Sequence, residues 1–441
     1  MRYFIIIADG QQLVGDRSLE TDQPERSDLG ADLFAALADA HTPALDAMGR
    51  LGKVGLAATH AAGANSYGRG AFALLGAPAP VVSVVSDALL DAAGSGVPLE
   101  PGDAVLRVGF VRVSPDDADG LLIGTESRAL TGDRKANGLV SGTNEYAALF
   151  DDLAAYWREA GTLTDPFEIV RTSSGGRLLI RRAAHAGDQP SFEGVELIDP
   201  ATITGEPWIE HLPDGGRKGD AELLCALITE SRRFLADHPI NAARAEQGLD
   251  AINLAWFWDA GTMPASGFNG LNPSEITAFV DGAADPDLRT RQPGLCEGLC
   301  EGLCALLGVE PTHGTALNAG ADLADAITAS ETPIVLVLTR RDAEGIDADI
   351  VAPVLARLTG EPIDRVADAD DAPWRVLVAV SHDPAGADGV AEGLAPFVLA
   401  GGRVRSIVDR RLSEATESDL IVDPASDLLE YVLKSGLRGV V

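Results

Sequence analysis

Short apolar runs that stop abruptly at polar residues set the pattern of this chain. The first, Tyr3-Phe4-Ile5-Ile6-Ile7, is rich in aromatic and β-branched side chains and ends at Ala8-Asp9-Gly10. An unbroken apolar run of this length predicts a strand buried on both faces, as in the middle of a parallel sheet. Pro333 to Leu338 and Arg375 to Val380 read the same way, and they end in Arg340-Arg341-Asp342 and Ser381-His382-Asp383. Ligands of open α/β sheets lie just past the carboxyl ends of the strands. The pattern therefore predicts that three strands deliver Asp9, Asp342 and His382 to one sheet edge. An aspartate that merely caps a helix or turn is the alternative for Asp9.

Elsewhere the apolar positions recur at helical spacing. Residues 11–30 are polar and read as a loop, and Ala31 to Ala40 as a short helix. Thr42-Pro43 predicts an N-cap with proline at the first helical position, and Gly52 closes that helix. Val54 to Thr59 follows as a strand, and the glycine- and alanine-rich segment from His60 to Gly70 reads as a site loop. Pro101-Gly102 marks a change of texture. Beyond it come strand-like runs (Val105 to Val113, Leu121 to Gly124, Glu168 to Arg171, Arg177 to Arg182) and a helix from Asn144 to Ala160. That order suggests a compact α+β module at roughly 99–215, with 1–98 and 216–441 outside it. Ala221 to Asp237 is strongly amphipathic through Leu223, Leu224, Leu227, Ile228 and Leu235.

Composition supports two domains, since 441 residues exceed the size at which one core stops growing. A net charge of −33 with 46% hydrophobic residues is unusual, and Lys53, Lys135, Lys218 and Lys434 are the only lysines. Scattered acids with few lysines suggest adaptation to high salt, where screening mutes self-repulsion. Such a surface argues against nucleic acid as a partner. The absence of a secretory leader pattern and of membrane-length apolar stretches predicts a cytoplasmic protein without membrane contact. Cys296, Cys300 and Cys304 would share one helix face, either as packing thiols or as a thiolate metal site.

In order along the chain, these segments resemble the archaeal-type 2,3-bisphosphoglycerate-independent phosphoglycerate mutases of the alkaline phosphatase superfamily. Tyr3 to Gly10 is similar to that family's opening strand, and Thr42-Pro43-Ala44-Leu45-Asp46 to its next helix. The most specific match is Ser231-Arg232 through His238-Pro239-x-Asn241-x-x-Arg244, followed by Asn253-x-x-Trp256-x-Trp258. The resemblance implies an alkaline-phosphatase-like α/β core sheet with an inserted smaller α+β domain. It further implies an isomerase of glycolysis that passes phosphate from 3-phosphoglycerate to the 2-hydroxyl through a serine. Divalent metal (Mn or Mg) would activate the serine and clamp the phosphoryl oxygens.

Carried over residue by residue, Ser66 is the candidate nucleophile and Asp9, Asp342 and His382 the candidate metal ligands. Arg107 and Arg177 are candidates for gripping a small-molecule phosphate ester. The chain departs from the family pattern at several positions. Ile346 stands where the family has a histidine, Ser381 where it has an aspartate, and Gly389-Val390-Ala391 where a later histidine falls. The serine reaches the nucleophile position only after a one-residue shift, because Tyr67 aligns there without a gap. The alternatives are a catalytically degenerate relative that binds or regulates, without metal, and an enzyme acting on another phosphate ester.

Overall fold

Phe4, Ile5, Ile6, Ile7 and Ala8 are each buried, so both faces of the first strand are covered, as the unbroken apolar run predicts. The computed structural model describes residues 1–10, 29–59, 67–113, 122–125, 144–173, 176–183, 192–203, 205–217, 219–247, 251–265, 271–281, 297–313, 321–339, 341–361, 369, 371–381, 394–404 and 409–434. Its strands, in chain order, begin with β1 (Arg2–Asp9), β2 (Lys53–Ala58), β3 (Ala104–Val113), β4 (Leu122–Thr125) and β5 (Phe167–Arg171). Next come β6 (Arg177–Arg181), β7 (Val195–Glu196), β8 (Asp214–Gly215), β9 (Leu254–Thr262) and β10 (Ile276–Asp281). The last are β11 (Pro311–His313), β12 (Ile334–Thr339), β13 (Trp374–Ser381), β14 (Leu394–Gly401) and β15 (Ile421–Val422).

The chain divides into two units. The first comprises Met1–Ser83, Ser266–Ala284 and Leu303–Val441. Its eight-stranded sheet runs β11-β10-β12-β1-β13-β14-β2-β15. The central strands β10, β12, β1 and β13 are mutually parallel, and β14 runs against its neighbours. Phe4 pairs directly with Val376, and Ile7 with Leu338, so the apolar runs seen in the sequence are adjacent strands of one sheet. Phe4, Ile6 and Ala8 pack in one core with Met48, Val335, Val337, Val354 and Val378.

Residues at the entrance of these strands also anchor helix ends. The Arg2 guanidinium donates to the carbonyls of Thr328 and Ser330, at the end of the helix Ala321–Ala329. Tyr3 Oη donates to Leu433 O, and the buried Arg375 donates to Val432 O, both at the end of the helix Ser426–Lys434. A cation and hydroxyl at helix C-termini satisfy carbonyls that lack intrahelical partners and complement the dipole.

One capping expectation fails. The helix Pro43–Leu51 has proline at its start and Gly52 at its end, but the Thr42 side chain makes no capping bond. The orphan amides of Ala44 and Leu45 donate instead to the two carboxylate oxygens of Asp347, at 3.2 and 2.7 Å. A long-range partner of this kind leaves no local signature in the sequence.

The second unit comprises Val84–Ala265 and Asp285–Gly302, wider than the 99–215 module drawn from texture. The reason is strand pairing: β9 lies antiparallel along β3 from Val111↔Leu254 to Ala104↔Thr262. The rest of this antiparallel sheet runs β4-β3-β6-β5. The helices Asn144–Ala160 and Asp220–Ala236 bury Tyr146, Phe150, Trp157, Leu224 and Leu227 with Phe110, Trp256 and Phe257.

Its most distinctive sequence block is architectural. Asn241 Nδ2 donates to the carbonyls of Leu235 and Ile252, and its Oδ1 accepts from Ile252 N. Asn253 makes the same two-way bridge to the backbone of Val113. Ser231 Oγ accepts from Ala255 N at 2.9 Å. His238 Nδ1 accepts from Ile240 N at the start of the helix Pro239–Glu246.

Candidate functional site

Parallel pairing fixes which residues line the carboxyl edge of the eight-stranded sheet. Asp281 pairs with Thr339, Thr339 with Ala8, and Asp9 with Ser381. Four neighbouring strands thus end in polar residues, Asp281 and Thr339 level with Ala8, and Asp9 and Ser381 one residue further along and so on the other face, with about 4.8 Å between neighbouring strands. Asp9, Asp281, Thr339 and Ser381 are all buried. The interiors of these strands are mostly apolar, so the polar side chains gather where the strands end.

The helix Tyr67–Leu74 packs against the same edge. A Cβ added at Gly70 would lie 2.4 Å from Ser381 Oγ, so glycine is needed for that approach. Ser66, immediately before this helix, lies outside the described residues, as does the Tyr67 side chain. His382, next after Ser381, also lies outside them.

Asp342, a candidate metal ligand from the sequence, follows β12, next to β1. It is exposed, and its Oδ1 accepts from Gly345 N at 2.7 Å, capping a helical turn. Ile346, at the position of the family's histidine, is 2% exposed and belongs to the apolar core.

A cation at this edge is Arg341, one of the polar residues that follow the apolar run Pro333 to Leu338. Its Nε and Nη2 both bond Asp281, the second at 3.2 Å to Oδ1, in a two-point fork. Its Nη1 bonds Asp349, eight residues further along the chain. Hydrogen bonding to the Asp281 carboxylate leads the effects that hold this guanidinium more firmly charged than usual, against the opposing effect of burial. The signal for Asp281 was present in the sequence: Ile276–Asp281 reads ITAFVD, an apolar run ending in aspartate like the first strand.

Arg107 and Arg177, the expected substrate-gripping arginines, are both buried on strands of the second unit. Arg107 Nη1 is 3.1 Å from Asp91 and its Nε 3.2 Å from Asp259. Asp259 also accepts from Ala88 N, at the start of the helix Asp87–Gly94. Burial opposes the Arg107 charge, but Asp91 and then Asp259 more than offset it and raise its pKa. Arg177 lies over the rings of Tyr146 and Phe150 at 5.9 and 5.7 Å, with Asp151 3.8 Å away.

The residues present were weighed against a divalent metal centre. Asp9 is a buried carboxylate at the right edge, but Asp281 and Asp349 share Arg341, Asp342 caps an amide, and Ile346 carries no lone pair. Among the described residues, no group of three or more His, Cys, Asp or Glu side chains comes together to hold a metal ion. This described donor set does not fit a two-metal site. Cys300 and Cys304 are buried on the helix Glu297–Leu307, and Cys296 lies outside the described residues.

Fold and edge define an α/β protein of the kind that gathers its polar groups where parallel strands end. Comparison with known proteins narrows this. The family model described as 2,3-bisphosphoglycerate-independent phosphoglycerate mutase matches residues 50–241. The chain is 28% identical to the "Probable 2,3-bisphosphoglycerate-independent phosphoglycerate mutase" of Geobacter sulfurreducens, over 60% of this chain and 57% of that protein. It is also 28% identical to the 2,3-bisphosphoglycerate-independent phosphoglycerate mutase of Methanosarcina acetivorans, over 60% of this chain and 56% of that one. The match spans just over half the length of these curated relatives. Over part of its length the chain is thus similar to 2,3-bisphosphoglycerate-independent phosphoglycerate mutases. Among solved structures, PH0037 from Pyrococcus horikoshii shares the fold, with a TM-score of 0.53 at 15% identity over 100% of this chain and 99% of that one.

Proposed function

We propose that the protein is a phosphoglycerate-mutase-like protein that takes a small phosphate ester at the carboxyl edge of the eight-stranded sheet. Its phosphoserine turnover is weak or absent. The observation that carries the second statement is the state of the donor set: Asp342 engaged as a cap, Ile346 packed in the core, and Arg341 bound between Asp281 and Asp349. Loss of even one supporting partner at a metal site lowers affinity or activity by ~10–100-fold. Loss of direct ligands costs more.

A working mutase is the second reading. It is favoured by Asp9 standing buried beside Ser381 and by the close packing of Gly70, four residues after Ser66, against that serine. In that reading Ser66 is the nucleophile, and Asp9, Asp342 and His382 bind divalent manganese or magnesium. The test is to incubate the protein with 3-phosphoglycerate and manganese in molar potassium chloride and follow 2-phosphoglycerate by phosphorus NMR. No product from either wild type or Ser66→Ala supports the degenerate reading. Turnover in the wild type that Ser66→Ala abolishes establishes the mutase. A cytoplasmic location in a high-salt cell accords with the acidic composition and belongs to the same proposal. Among the described residues, no helix is long and apolar enough to cross a membrane.

A further inference from the structure

We propose that Arg341 is a resident cation of the sheet edge, holding Asp281 and Asp349 together where these carboxylates would otherwise attract a divalent ion. Arg341 stands two residues past Thr339, the last residue of β12, and Thr339 pairs with both Asp281 and Ala8. Its side chain is 14% exposed and that of Asp281 4%, so this fork is screened from solvent. Asp349 reaches the opposite side of the guanidinium from a π-helical turn, Ile346–Val351. Two carboxylates that close, without a counter-charge, would repel each other and draw cations from solution.

A guanidinium suits this place better than an ammonium. Its planar fork meets both oxygens of Asp281 and still has Nη1 to offer Asp349. These bonds use one N–H on each of its three nitrogens and leave further donors on Nη1 and Nη2 for an anion. The edge thus holds a guanidinium that needs no metal supply and offsets one of the two carboxylate charges. A divalent ion approaching the same carboxylates meets a cation already seated there.

This inference rests on the edge being the functional site, but its readout is metal binding rather than turnover. A protein with no mutase activity leaves it fully testable. Free manganese is titrated by electron paramagnetic resonance against wild type, Arg341→Gln, Arg341→Lys and the double variant Arg341→Gln, Asp281→Asn. Arg341→Gln is expected to bind manganese about tenfold or more tightly than wild type, from loss of Coulomb repulsion on a divalent ion. Removing Asp281 in the double variant should cancel the gain, and Arg341→Lys should fall between. Arg341→Gln binding that matches wild type, or a gain that persists in the double variant, overturns the proposal. Should Arg341→Gln fail to fold by circular dichroism, Arg341→Lys decides: affinity equal to wild type overturns the inference, and an intermediate gain supports it.

Discussion

At the scale of single residues, the buried charges divide into those that hold the fold and those that line the edge. Arg107, a candidate substrate arginine from the sequence, is paired with two aspartates inside the second unit, one of them 1% exposed. Arg107→Ala would leave Asp91 buried without its counter-ion, and the expected cost is ~3–5 kcal/mol. Urea unfolding checks this, and a variant with an unshifted midpoint would return Arg107 to a purely substrate-binding role. Asp347 gives a second case. Removing its carboxylate from two helix amides by Asp347→Ala should cost ~0.5–2 kcal/mol. Burial pushes its pKa up, against the lowering by the Leu45 and Ala44 amides. A raised folded value means that the folded state holds the proton more tightly. Stability from this group therefore declines as pH rises from the ordinary carboxylate range through the raised value, and its desolvation cost is complete above that. The destabilisation by Asp347→Ala should accordingly be larger at about pH 4.5 than at about pH 7. Midpoints showing the reverse trend would refute the assigned direction.

At the scale of elements, strands were the most legible feature. A run such as Phe4 to Ile7, short, β-branched and buried at every residue, declares itself locally as a strand covered on both faces. The helices Asn144–Ala160 and Asp220–Ala236 were equally open, since their apolar spacing is local. Contacts made across hundreds of residues were not. Asp347 capping Ala44 and Leu45, and Arg341 gripping Asp281, join positions whose local sequence shows only an acid or a base. The packing of helix Pro43–Leu51 illustrates how tight such unseen contacts are. A Cβ at Gly49 would lie 2.0 Å from Arg410 O, and one at Gly52 1.9 Å from Leu399 O. Neither backbone carbonyl can swing aside as a side chain would. Gly52→Ala should therefore cost ~1–3 kcal/mol, the usual range for overpacking. Thermal unfolding that matches wild type would show that β14 shifts freely at Leu399.

At the scale of the whole molecule, sequence texture draws the second module at 99–215, whereas compactness draws a unit at Val84–Ala265 and Asp285–Gly302. Composition changes at Pro101-Gly102, whereas the unit is set by β9 pairing along β3, a long-range contact that composition does not register. Net charge is a different kind of property, because it can be read without any fold. With 67 acidic against 34 basic residues, the chain repels itself, and the range of that repulsion depends on salt. The Debye length falls from ~10 Å at 0.1 M to ~3 Å at 1 M, so salt relieves repulsion between separated surface acids. Salt also weakens exposed ion pairs such as Arg217–Glu193 and Lys434–Glu430, which are each worth only ~0–1 kcal/mol. Pairs that are sheltered from solvent, Arg107 with Asp91 and Arg341 with Asp281, are screened far less. Surplus acids outnumber the pairs that salt can weaken, so relief of repulsion should win. The unfolding midpoint is expected to rise steadily between about 0.1 and 2 M potassium chloride. A midpoint that stays flat or falls over that range would mean that the acids are too well spaced to repel, and that the composition reflects something other than salt.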